Sequence, residues 1–213
     1  MIKGIIFDLD GVLVFTDRYH YLAWKQLADR LGVAFDQQVN DRLRGVSRMD
    51  SLEIVLEGYQ GTPLTLARKQ ALAEEKNAAY RAYLTRMTPA DVSAEVRETL
   101  AALRRRGYRL AVGSSSKNAG LILERTDLAG AFDAVSDGTN ITRSKPDPEV
   151  FLKAAAFLGL PPEECAVVED AEAGIAAAKA AGMTAIAIGP AAELTTPDHT
   201  LTAFSDLLKL DWS

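Results

Sequence analysis

Two hydrophobic periods divide this chain. Residues 2 to 7 form a short, almost wholly apolar run with β-branched members, bounded by Asp and Gly, which predicts a strand buried on both faces of a parallel sheet. From Asp17 onward the apolar positions recur at helical spacing. Asp17 is expected to cap a helix bearing Leu22, Trp24, Leu27, Ala28 and Leu31, ended by Gly32. Asp36 begins a shorter helix through Leu43 that Gly45 stops, and Ser47 with Asp50 resembles an N-cap followed by an acidic first turn. After a loop over residues 58 to 63, Thr65 opens a helix running to about Leu84. Residues 15 to 88 thus predict a helical cap, inserted into a core formed by residues 1 to 14 and 89 to 213.

In the second part of the chain the periods alternate. Val92, Val96, Leu100 and Leu103 mark one helix face, and helices are expected over 118 to 126, 147 to 158 and 171 to 181. Between them, strands are expected at 109 to 113, 134 to 136, 166 to 168 and 184 to 188. Alternation at this spacing predicts an α/β fold, a doubly wound parallel sheet with right-handed crossovers. Residues 190 to 199 read as a polar loop, and residues 204 to 210 as a last helix covering the sheet.

Composition narrows the class. With 213 residues, 48% apolar and 25% charged, the chain can bury a substantial core. The net charge of −5 is dispersed, so no nucleic-acid partner is expected. Arg104-Arg105-Arg106 is the one basic run; it ends an amphipathic helix before Gly107, where cations suit the helix dipole. Cys165 is alone, which excludes an intramolecular disulfide and makes it a small core residue. No apolar run approaches the roughly 20 residues of a membrane span, and the first strand begins too early for a signal peptide. A soluble, cytoplasmic monomer with no membrane partner is expected.

The chemistry begins at Asp8-Leu9-Asp10-Gly11, at the C-terminal end of the first strand, where open α/β sheets bind ligands. Two positions apart in an extended segment, Asp8 and Asp10 are expected to point the same way. Such a pair suits a hard divalent cation, or a division of labour between nucleophile and proton donor. Three further segments follow: Ser114-Ser115-Ser116-Lys117-Asn118 after one strand, Ser144-Lys145-Pro146-Asp147-Pro148 before a helix, and Glu169-Asp170 after another strand. Taken singly, Ser114 can be a strand-end turn residue and Lys145 a solvated lysine.

These four motifs, in this order, resemble the haloacid-dehalogenase-like phosphotransferases over nearly the whole chain. The resemblance implies that Asp8 is the nucleophile and forms an aspartyl phosphate, with Asp10 as proton donor and acceptor. Mg²⁺ would be held by Asp8, Glu169, Asp170 and the backbone carbonyl of Asp10, while Ser114 and Lys145 bind the transferring phosphoryl group. Residues 19 to 25, residues 43 to 48 and Ser116-Lys117-Asn118 are similar to the β-phosphoglucomutase branch of that family. That branch implies sugar-phosphate substrates and a β-D-glucose 1,6-bisphosphate intermediate. It further implies that Arg48 with Ser116, Lys117 and Asn118 grips the phosphate that is not reacting. Thr16, His20, Trp24, Gly45, Val46, Ser47, Lys76 and Ser115 complete the expected substrate-binding set. Simpler readings stand beside these roles: His20 and Trp24 as one packed helix face, Arg48 as a solvated first-turn residue, Lys76 as an exposed lysine. Phe15 and Ser115 depart from the branch, which more usually has an acidic residue and Ala there. The neighbouring activity is a sugar-phosphate phosphatase on the same fold.

Overall fold

The computed structural model describes residues 1–43 and 47–212; Gly45 and Val46, both expected in the substrate site, and Arg44 lie outside the described residues. Along the chain come β1 (Gly4–Phe7), α1 (Asp17–Leu31), α2 (Gln37–Asp41), α3 (Arg48–Leu56), α4 (Leu66–Leu84), α5 (Ala94–Arg105) and β2 (Arg109–Gly113). They are followed by α6 (Ala119–Arg125), β3 (Ala134–Ser136), α7 (Glu149–Leu158), β4 (Cys165–Glu169), α8 (Glu172–Ala180), β5 (Thr184–Ala187) and β6 (His199–Thr200). By its packing the chain divides into two units, Met1–Phe15 with Met87–Ser213, and Thr16–Arg86.

The first unit is built on a parallel sheet of order β3-β2-β1-β4-β5-β6. Its central strand explains its own composition. Ile5, Ile6 and Phe7 are all 0% exposed. Ile6 packs into a cluster with Val150, Phe151 and Ala154 of α7 and Ile175 of α8, whereas the Phe7 ring meets Phe132 and Phe204 at centroid distances of 6.1 and 5.7 Å. Burial on both faces, worth about 1.5–3 kcal/mol per large side chain, leaves no position for a polar residue until the strand ends at Asp8. Cys165 is a buried strand residue, its thiol pushed up to about 11 by burial.

The C-terminal part departs from its sequence reading. Residues 189 to 193 form a 3₁₀ turn rather than open loop, and His199 and Thr200 add a sixth strand beside β5. Both residues of that edge strand are exposed, so it carries no apolar alternation, and backbone pairing alone defines it. The last element, Phe204–Lys209, is 3₁₀ rather than α-helical. The Asp206 carboxylate caps its start by accepting from Thr202 N and Ala203 N, its last turn gives way to the extended Leu210, and Phe204 still covers β1.

The second unit is helical, with a core of Trp24, Leu27, Ala28, Phe35, Leu52, Val55 and Leu72. Its caps follow local chemistry: Asp36, Ser47 and Thr65 accept from Val39 N, Asp50 N and Arg68 N. Thr16, not Asp17, occupies the N-cap of α1, and Asp17 lies in the first turn. There its charge still suits the helix dipole. The second helix ends at Asp41, short of the expected Leu43.

Candidate active site

The strand order reverses direction between β1 and β4, and this is where ligands bind in open sheets. Phe7 is in register with Val168 and with Val112, which sets Asp8 level with Glu169 on one side and one residue before Ser114 on the other. Asp8 extends the ladder by donating its N–H to Val168 O at 2.9 Å. Beyond it the backbone turns, with Leu13 N and Val14 N both donating to Leu9 O. Contrary to the sequence expectation, Asp10 is therefore not in an extended segment with Asp8. Asp10 lies in this turn, bridged to Val14, and the turn rather than strand alternation brings its charge near Asp8. Gly11 makes the turn possible: its φ is +93°, and a Cβ there would overlap the Asp170 carboxylate.

Asp8, Glu169 and Asp170 each offer a carboxylate oxygen, and these oxygens lie within 4.8 Å of one another. The Lys145 ammonium pairs with Asp8 and, at 2.5 Å, with Glu169; its side chain is 9% exposed, which excludes the solvated reading. Burial, opposed by Lys145 and reinforced by Glu169 and Asp10, raises the Asp8 carboxyl well above its ordinary range. Lys145, between two carboxylates that outweigh its own burial, stays charged. Asp8, Glu169 and Asp170 together present a cluster of carboxylate oxygens. Those clustered oxygens match the ligand preference of a hard divalent cation.

Glu169 is held from behind. Its Oε2 accepts from Asp170 N and Ala171 N at 2.9 and 3.0 Å, and a Cβ on Gly174 would overlap its carboxylate. Gly174, which the sequence reading missed, thus clears the space for a buried carboxylate beside the first turn of α8. Gly→Ala in a helix gains up to about 1 kcal/mol, but overpacking costs about 1–3 kcal/mol. Gly174→Ala is accordingly expected to lower stability and weaken divalent-cation affinity together, as thermal melts with and without Mg²⁺ would show.

At the end of β2, Ser114 Oγ accepts from Ser116 N at 3.1 Å, and Ser116 Oγ accepts from Asn118 N at 3.1 Å. Ser114 therefore does make the strand-end turn, and its acceptor bond leaves its O–H to donate. The Ser115 hydroxyl is buried without a partner among the described residues, Asn118 is buried at the N-cap of α6, and Lys117 is exposed.

In the helical unit the structure gathers four of the expected residues. Lys76 is 3% exposed, not solvated; its Nζ is 2.9 Å from His20 Nδ1 and lies over the Trp24 and Tyr80 rings at 4.8 and 4.9 Å. Burial, then the Lys76 and Arg48 charges, hold the His20 imidazole well below its ordinary range, so it stays neutral. Tyr80 donates to Thr16 Oγ1 at 3.1 Å. Arg48 pairs with Glu74 at 2.8 Å, and Ser47, besides capping α3, donates to Asp50 Oδ2 at 2.6 Å. Glu74 and Tyr80 were not legible as site residues, because nothing in their helix marks them from its other polar and aromatic positions.

A doubly wound sheet whose switch point holds three carboxylates and a buried lysine defines a phosphotransfer-type hydrolase core. A profile of the haloacid dehalogenase-like hydrolases matches residues 2–182, and the chain belongs to that family. It is 42% identical over 206 residues to the β-phosphoglucomutase of Bacillus subtilis strain 168, covering 96% of this chain and 91% of that one. A phosphorylated-carbohydrates phosphatase of Thermotoga maritima is 30% identical, over 86% of this chain and 83% of its own. Among solved structures, a β-phosphoglucomutase from Clostridium difficile superposes with a TM-score of 0.89 at 34% identity, covering 97% of this chain and 93% of that one.

Proposed function

We propose that this chain is a β-phosphoglucomutase, converting β-D-glucose 1-phosphate to glucose 6-phosphate through a β-glucose 1,6-bisphosphate, and acting as a cytoplasmic monomer. The observation that carries the reading is the cluster of Asp8, Glu169 and Asp170, with Lys145 paired to the first two, in a chain 42% identical to such a mutase. An Asp8 oxygen attacks phosphorus, the bond from phosphorus to the sugar oxygen breaks, and Asp10 gives that oxygen its proton. In the other half-reaction a sugar hydroxyl attacks the aspartyl phosphate and Asp10 takes the hydroxyl proton. Bound to Asp8, Glu169, Asp170 and the Asp10 carbonyl, Mg²⁺ would supply the positive charge that lets a carboxylate approach a phosphate. Ser114 and Lys145 supply donors to the phosphoryl oxygens.

Arg48 and residues 116 to 118 are read as donors to the other phosphate. In the structure Arg48 rests on Glu74, whose side chain is 71% exposed. An exposed pair is worth only about 0.2–1 kcal/mol, less than the ~1.5–3 kcal/mol of a hydrogen bond to a charged group, so a phosphate dianion displaces Glu74. Arg48→Ala should cost roughly 10- to 100-fold in kcat/KM in both directions. A loss confined to one direction, after correction for the overall equilibrium, would contradict a shared site. Thr16, His20, Trp24, Ser47, Lys76 and Ser115 complete the substrate-binding set in this reading, with Gly45 and Val46 beside Arg48 in sequence.

Phosphorus NMR with β-glucose 1-phosphate, with and without bisphosphate primer, tests the proposal. Primer-stimulated glucose 6-phosphate supports it. Stoichiometric inorganic phosphate would instead establish the phosphatase that the Thermotoga relative exemplifies.

A further inference from the structure

The segment that carries Lys145 joins β3 to α7, and Glu149 ties its start to the helix. Glu149, in the first turn of α7, accepts three bonds at Oε2, from Thr142 N at 3.0 Å, Thr142 Oγ1 at 2.9 Å and Arg143 N at 2.8 Å. Its Oε1 pairs with Lys153 at 2.8 Å, and Lys153 in turn donates to Asn140 O. On the other side of the lysine, Asp147 N donates to Ser144 O at 3.1 Å and Asp147 Oδ1 accepts from Glu149 N at 3.0 Å. Both flanks of Lys145 are thus fastened to the start of α7. The same stretch of helix places Phe151 with its ring 4.7 Å from Lys145 Nζ. α7 itself is anchored, since Val150, Phe151 and Ala154 are fully buried against the sheet.

We infer that Glu149 is a positioning residue for phosphoryl transfer: by holding residues 142 and 143 against the first turn of α7 it sets where the Lys145 ammonium stands. The inference rests on the functional reading above, in which Lys145 meets the transferring phosphoryl group. A loop ammonium on a flexible four-carbon stem is a point charge without a fixed direction of its own. Its placement must come from the backbone beneath it, and a displacement of about 1 Å can cost ~10²-fold in rate. The Lys153, Arg143 and Thr142 donors hold the Glu149 carboxyl at about 2, so this clamp is charged throughout the neutral range. Arg143 also approaches Asp147 at 3.1 Å and Glu149 at 3.9 Å, but its side chain is 70% exposed and adds little to the clamp.

The test is Glu149→Gln, alone and beside Lys145→Ala, with single-turnover phosphoenzyme formation from labelled β-glucose 1,6-bisphosphate and steady-state KM for β-glucose 1-phosphate. The expected result is a loss of about 10- to 100-fold in the transfer rate with KM changed by less than threefold. Beside Lys145→Ala, the same substitution should cost less than twofold, because the group it positions is gone. A loss under threefold in the single variant, or an undiminished loss beside Lys145→Ala, overturns the inference. Should Glu149→Gln lose its native circular dichroism, Thr142→Ala decides instead, since it removes one donor and leaves the helix intact. There, a threefold or greater loss that vanishes beside Lys145→Ala supports the clamp, and an undiminished one overturns it. Wild-type transfer by Lys145→Ala alone would overturn the functional reading and this inference with it, whereas an impaired Lys145→Ala with an unimpaired Glu149→Gln removes only the role of Glu149.

Discussion

Asp8→Asn is expected to form no aspartyl phosphate and to lower kcat by ~10⁴- to 10⁶-fold, the range seen when a covalent nucleophile is removed. The side chain keeps its shape but loses the anionic oxygen that must attack phosphorus. Stability should not fall with activity. Burial, with the Glu169 and Asp10 charges nearby, already disfavours the ionised Asp8 carboxyl. Lys145 also pairs with Glu169, at 2.5 Å, and that partner remains when Asp8 becomes an amide. An unchanged or raised melting temperature is therefore expected beside the lost activity, as at other sites where function is held at the expense of stability. Labelled bisphosphate followed by acid quench, with a parallel thermal melt, checks both halves. Phosphoenzyme formed at the wild-type rate would sink the assignment.

The second large effect is that of the cation. Withdrawal of Mg²⁺ by excess EDTA and dialysis should abolish transfer rather than merely raise KM, because the clustered carboxylates of Asp8, Glu169 and Asp170 then face an incoming phosphate without the cation's charge. A readout independent of turnover exists. A ligand at a hundredfold excess over its dissociation constant stabilises by about 2.7 kcal/mol. For a chain of this size that corresponds to a melting-point rise of roughly 5–11 °C. Asp170→Asn should remove most of that rise while leaving the metal-free melting point near wild type. Full activity after EDTA treatment, or an Asp170→Asn protein that Mg²⁺ stabilises as strongly as wild type, would overturn the metal assignment.

What the sequence by itself determined is what neighbouring residues decide. The apolar run of β1, the strand ending at Gly113 and the caps at Asp36, Ser47 and Thr65 were legible because each depends on a few adjacent residues. The motif residues Asp8, Ser114, Lys145, Glu169 and Asp170 were legible too, since their residue types and their places at strand ends and before a helix carry the resemblance. The strand order was decided only by the tertiary structure, and with the packing of α7 it brings Lys145 to Asp8 across 137 positions of chain. The edge strand at His199 was invisible because backbone bonds to β5 define it, with no side chain marking a face. Asp10 was placed by the right motif for an incomplete reason, since a turn closed on Leu9 O, not strand alternation, sets its position. Gly174 shows the same limit from the other side. A glycine in a helix reads as a local cost, and only the packed structure reveals the Glu169 carboxylate occupying the space where its side chain would be. Local propensities and motif chemistry are written in short stretches of chain, whereas the charge balance, burial and clearances that make a site exist only between residues that folding brings together.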